Sequence, residues 1–116
     1  MGKKQRKELT DEALELIAVR FRALSEPMRL KILNALGEGE MSVTEIVDAT
    51  GSGQANVSKH LGILLNEGIV TRRKEGLNTF YKVADEGIFT LCETVCSSID
   101  NHLAAKHGAV RGFSNR

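Results

Sequence analysis

The chain has 116 residues, 41% hydrophobic and 27% charged, with a formal net charge of +1, which is one domain's worth with a modest core. No apolar run approaches the roughly 20 residues that span a bilayer, and the opening MGKKQRKELTDE has no apolar segment behind its charges, so the expectation is a cytoplasmic protein with no membrane partner. In a reducing compartment its two cysteines are expected to serve as thiols or as packing, not as a permanent disulfide.

Lys3, Lys4, Arg6 and Lys7 crowd the start, and residues 1–9 are read as a flexible basic arm. Leu14, Ile17, Ala18, Phe21 and Leu24 then recur at helical spacing, which predicts a first helix over 10–24. The SEP at 25–27 interrupts it, with Ser25 the expected cap of the next helix and Pro27 tolerated in its first turn. In MRLKILNAL, Leu30, Leu33 and Leu36 share a side, and GEGE at 37–40 ends the pattern. Ser42 and Glu45 have the spacing of a capping box, opening a short helix over about 43–50 that stops at Gly51. The next helix, 54–66, sets Val57, Leu61, Leu64 and Leu65 on an apolar face, with Asn56, Lys59, His60 and Ile63 opposite and Gln54 in the first turn. Gly68 closes it. IVTRRK, EGLN and TFYKVAD then have the character of strand, turn and strand. Residues 86–107 return to helical spacing, Gly108 ends them, and 108–116 are expected to form a loose tail.

The predicted fold is mainly α with a β-hairpin wing, in the order α-α-α-α-β-β-α, over residues 10–107. A short helix joined by a glycine turn to a second helix is a helix-turn-helix, and a hairpin directly after it is a wing. This arrangement suits double-stranded DNA, because the second helix presents hydrogen-bonding side chains to base edges in the major groove. Gln54 and Asn56 have the paired donor and acceptor that adenine requires, Lys59 reaches guanine or phosphate, and Ser58 and His60 complete the candidate set. Arg72, Arg73 and Lys74 on the hairpin would meet phosphates or the minor groove. The plainer alternative is that these groups only solvate the outside of a small helical domain. No phosphate-cradling glycine loop and no nucleophile beside a base is apparent, so an enzyme is not expected. A protein-interaction face would carry more apolar and aromatic residues than QANVSKH does.

FRALSEPMRLKILNAL (21–36), VSKHLGILLNEGIVTRRKEG (57–76) and FYKV (80–83) resemble, in that order, the entry helix, recognition helix and wing of the ArsR/SmtB-type winged-helix repressors. The resemblance covers about residues 10–107. It implies a DNA-binding homodimer, joined through the first and last helices, that leaves its operator when an inducer binds. Gly53 stands where the family usually has a Ser or Thr cap, Ser52 where it is usually apolar, and Leu77 where an Arg often follows the wing glycine.

The family's Cys-x-Cys site has no counterpart in MSVTEIVDA. Of its interhelical zinc ligands only Asp85 is matched, with Gly87, Ser98 and Asn101 at the other three positions. Asn34 occupies the place of the first sulfide-sensing cysteine. Cys92 and Cys96 remain, at i and i+4, where Cβ atoms lie about 5–6 Å apart on one helix face. Two thiolates so placed can converge on a soft ion such as trivalent arsenic or antimony. No cofactor is otherwise required. Two other readings stay open: the thiols respond to oxidation or reactive sulfur, or they are packing. Ile88, Cys92, Val95, Ile99 and Leu103 form an apolar stripe, which places Cys92 in the expected seam and Cys96 at its flank. His102 and His107 share no turn with the pair.

Overall fold

The computed structural model describes residues 8–104. Most of the predicted basic arm, the end of the last predicted helix with His107 and Gly108, and the tail 108–116 lie outside the described residues.

Helix α1 spans Asp11–Leu24; Thr10 caps it by accepting from the Ala13 amide at 3.0 Å, and Asp11 and Glu12 occupy its first turn, where the helix dipole favours negative charge. Helix α2 spans Pro27–Leu36 with Glu26 as its cap residue. The expectation that Ser25 caps α2 is therefore corrected. Proline drives the residue before it out of the helical region, and Glu26 accordingly is extended, at φ −114° and ψ 123°. Ser25 instead closes α1, its hydroxyl donating to the Arg22 carbonyl at 2.9 Å.

A two-residue strand, β1 (Met41–Ser42), precedes α3 (Val43–Thr50). The capping box forms as its spacing predicts: Ser42 Oγ accepts from the Glu45 amide at 3.2 Å and Glu45 Oε1 accepts from the Ser42 amide at 2.8 Å. Gly51 ends α3 in the left-handed conformation, φ 74°, which glycine alone enters without steric cost. Helix α4 (Gln54–Asn66) follows, then β2 (Val70–Glu75), β3 (Asn78–Val83) and α5 (Gly87–Leu103).

The strands form an antiparallel sheet in the order β1-β3-β2, with Val70 opposite Val83 and Glu75 opposite Asn78. The turn is tighter than the predicted EGLN, only Gly76 and Leu77. Gly76 has φ 64°, and glycine at the first of two turn positions is the favoured hairpin chemistry. β1 was not predicted. Two residues carry no periodicity, and β1 exists only because Met41 and Ser42 pair with Tyr81 and Phe80.

Ile32 and Leu33 of α2, Ile46 of α3, Val57, Leu61 and Leu64 of α4, and Ile69 and Val70 are all but sealed from solvent. Each contributes roughly 1.5–3 kcal/mol by burial. α2 packs on α1, α3, α4 and β3, so the core holds α4 by its apolar face and leaves the opposite side in water. Leu14, Ile17 and Phe21 of α1, and Val95 and Ile99 of α5, remain exposed. Among the described residues no helix is long and apolar enough to cross a membrane.

Candidate nucleic-acid interface

The glycine turn 51–53 delivers α4 with its N-terminal half outward. Gln54, Asn56, Ser58 and Lys59 are exposed. Gly53 supplies no side-chain cap; the adjoining hydroxyl of Ser52 instead receives the Asn56 amide, Nδ2 to Oγ 2.9 Å. This bond crosses the turn and restrains the Asn56 side chain, whose carbonyl oxygen has no hydrogen-bond donor among the described residues.

His60 does not join that face. It is 6% exposed, and its Nδ1 lies 3.0 Å from Nη1 of Arg29. The expectation that it lies on the outer side of the helix, opposite the apolar face, is corrected. His60 stands three residues after Val57 and four before Leu64, so helical geometry carries it to the edge of the buried stripe. Ile63, also expected outside, is partly buried against the core. Burial foremost, then the charges of Arg29 and Lys59, hold the His60 imidazole below its ordinary pKa, with Glu26 opposing.

On the wing, alternation along β2 separates the three cations. Arg73 is engaged within the protein: Nε and Nη2 donate to Glu40 at 2.9 and 3.0 Å, Nη1 donates to Glu75 at 2.6 Å, and the guanidinium lies 4.9 Å from the Phe80 ring centroid. The hydrogen bond from Arg73 is the main cause that lowers the Glu40 pKa. Arg72 and Lys74 point to the other face, are exposed, and make no salt bridge among the described residues.

Three residues here carry roles that the sequence does not announce: Arg29, Glu40 and Ser52, the last legible only as a polar residue at a usually apolar position. Glu40 was read only as part of a helix-breaking GEGE, and Arg29 only as part of a motif. An arginine two residues after a helix-opening proline, within reach of the preceding helix's last carbonyls, was the available signal for the latter.

On α5 the expected order of the cysteines is reversed. Cys96 is 3% exposed and Cys92 partly buried, while Val95 and Ile99 of the predicted seam face solvent. The inner line of α5 runs Ile88–Cys92–Cys96, at strict i+4 steps, because the helix lies on its own domain along that edge and leaves Val95 and Ile99 beyond it. The two cysteines border an apolar cleft of about 360 Å³ between α1, α2 and α5, with Phe21, Leu24, Leu30 and Ile99 in its walls. Asp85 pairs with Arg20 at 3.4 Å and accepts from the Gly87 amide at 2.9 Å. Among the described residues of the single chain, no three His, Cys, Asp or Glu side chains come together as a metal site.

Residues 26–72 match the profile described as bacterial regulatory protein, arsR family. An uncharacterized HTH-type transcriptional regulator of Methanocaldococcus jannaschii is 40% identical over 85 residues, 72% of this chain and 96% of that protein. The probable mercury resistance operon repressor of Streptomyces lividans is 38% identical over 85 residues, 72% of this chain and 68% of that one. Among solved structures, the homodimeric winged helix-turn-helix DNA-binding domain of a Mycobacterium bovis regulator superposes with a TM-score of 0.72 at 33% identity, covering 87% of this chain and 96% of that chain.

Proposed function

The chain belongs to the ArsR/SmtB family of winged-helix transcriptional regulators, DNA-binding proteins and not enzymes, and from that premise we propose that it is a homodimeric repressor released from its operator by a trivalent arsenical or antimonial at Cys92 and Cys96. The observation that carries DNA reading is the outward half of α4: Gln54, Asn56, Ser58 and Lys59 stand exposed on a helix whose other side is locked into the core. Arg72 and Lys74 supply phosphate contacts from the wing. Arg73, committed to Glu40 and Glu75, shapes the wing and contributes less directly.

The dimer reading rests on the exposed Leu14, Ile17, Phe21, Val95 and Ile99, since apolar side chains gathered on two neighbouring helices mark an association surface. A two-fold dimer sets its two α4 helices for successive major grooves, about 34 Å apart. Cys92 and Cys96 line the cleft beside that surface. Each thiol would replace one hydroxyl of arsenous acid, releasing water and leaving arsenic trivalent. The mercury-named relative supports a soft, thiophilic inducer class. Seating a ligand there favours a dimer geometry that fits the operator less well, and a coupling of about 1–3 kcal/mol would lower affinity roughly 5–150-fold.

The test is fluorescence anisotropy with duplex DNA, with and without arsenite, on the native chain, Cys92→Ser and Cys96→Ser. Arsenite should weaken binding by the native chain alone. The burial of Cys96 favours a second reading, in which both thiols only pack and the inducer, if any, acts elsewhere; a native chain insensitive both to arsenite and to thiol oxidation would establish it. Alanine at Gln54, Asn56 and Lys59 tests DNA reading itself, and affinity should fall steeply with salt.

A further inference from the structure

The last carbonyls of a helix have no partner within it. At the end of α1 two of them are met by one side chain: Arg29 Nε donates to the Ala23 carbonyl at 2.6 Å and Nη2 to the Arg22 carbonyl at 3.3 Å. The third arm of the same guanidinium, Nη1, lies 3.0 Å from His60 Nδ1 in the middle of α4. A guanidinium has donors only and keeps its charge. Nδ1 must therefore accept, which fixes His60 as the neutral tautomer with its proton on Nε2.

We infer that Arg29 is a positioning residue for DNA reading: through neutral His60 it ties the recognition helix α4 to the C-terminal end of α1, so that the helix bearing the dimer surface sets the angle of the helix that reads bases. The inference rests on the DNA-reading proposal above. α1 and α4 each pack on α2, and the planar fork is a polar bridge between them. A lysine carries its three donors on a single nitrogen and lacks the planar fork that spaces them across these three acceptors.

The bridge has a built-in condition. Protonating His60 turns Nδ1 into a donor and sets two cations face to face. The charged groups around the imidazole are Arg29 from α2, Lys59 on its own helix and the Glu26 carboxylate at the start of α2. Two of the three are cationic, and Glu26 is the one group that would receive a protonated ring. Acid should therefore loosen α4 by breaking this single contact.

The experiment uses the full chain and the duplex it enriches from a random pool, with affinity read by anisotropy from pH 8 to pH 5. The native chain should lose about tenfold or more in affinity as the pH falls below the ordinary imidazole range, a loss of the size expected from a charge-assisted hydrogen bond. His60→Asn, which keeps an acceptor where Nδ1 stood, should bind without that acid limb. Arg29→Lys should bind about tenfold more weakly at pH 7.5 while still melting cooperatively. In parallel, nitrogen-15 NMR of the free protein should find the His60 proton on Nε2. Equal affinity of Arg29→Lys and the native chain, an acid limb that persists in His60→Asn, or the proton on Nδ1 would each overturn the inference. If the native chain enriches no duplex, it is the DNA reading that fails, and the NMR tautomer then decides the Arg29–His60 bridge by itself.

Discussion

Phe21 offers the sharpest test of the dimer surface. It is 52% exposed in the single chain, and a phenylalanine presents on the order of 200 Å², so about 100 Å² is open to a partner. At roughly 25 cal/mol per Å², covering it is worth about 2.5 kcal/mol per protomer. A two-fold interface uses each patch twice, which doubles the figure to about 5 kcal/mol; coverage of only half the area brings it back to about 2.5. Phe21→Ala should therefore raise the dimer dissociation constant by roughly 60-fold to several-thousand-fold, at 1.4 kcal/mol per decade. Sedimentation equilibrium over a wide protein range measures it directly, with a thermal melt to confirm that the variant folds. The reasoning is wrong if Phe21→Ala dissociates at the same concentration as the native chain, or if the native chain is monomeric at every concentration.

Three further outcomes are expected. Ser42→Ala removes one half of the capping box and should cost about 1 kcal/mol in denaturant unfolding, with Glu45→Ala producing a similar loss. Two glycines in open space should respond with opposite sign: Gly62, helical and exposed in α4, gains about 0.5–1 kcal/mol on substitution by Ala, whereas Gly51 at φ 74° loses about 1 kcal/mol. His60 predicts a pH dependence of stability. Its folded pKa lies below the ordinary 6.5, so as the pH falls below 6.5 the unfolded chain takes up the proton first. Stability is then full above 6.5 and declines beneath it, and urea midpoints at pH 7.5 and 5.5 should separate more for the native chain than for His60→Asn.

Much of the architecture was legible because its causes are local. The Ser42–Glu45 capping box, the stop at Gly51 and the bounds of α4 each depend on residues within one helical turn. The wing was legible from its glycine and flanking β-formers, though not the two-residue length of its turn. Where the reading missed, the cause lay at a distance along the chain. Ser25 was assigned to the wrong helix because the backbone demand of Pro27 on Glu26 outweighed the cap preference of a serine. Periodicity names the apolar stripe on α5 without saying which edge of it the domain covers: Cys96 is buried within the chain, whereas Val95 and Ile99 stay exposed in the single chain, on the side where a partner would complete the seam.

The amino-acid order by itself determined which segments are helices, where the reading helix begins, and that its N-terminal half is polar, since these follow from side-chain spacing and backbone preference. Only the tertiary structure decided what each polar group is free to do. His60 lies 31 residues from Arg29, and Arg73 lies 33 residues from Glu40; no local pattern announces either pairing. Burial and charge pairing are properties of the packed assembly of elements, and they withdraw His60 from the exposed face, occupy Arg73, and leave Gln54, Asn56, Ser58 and Lys59 facing outward.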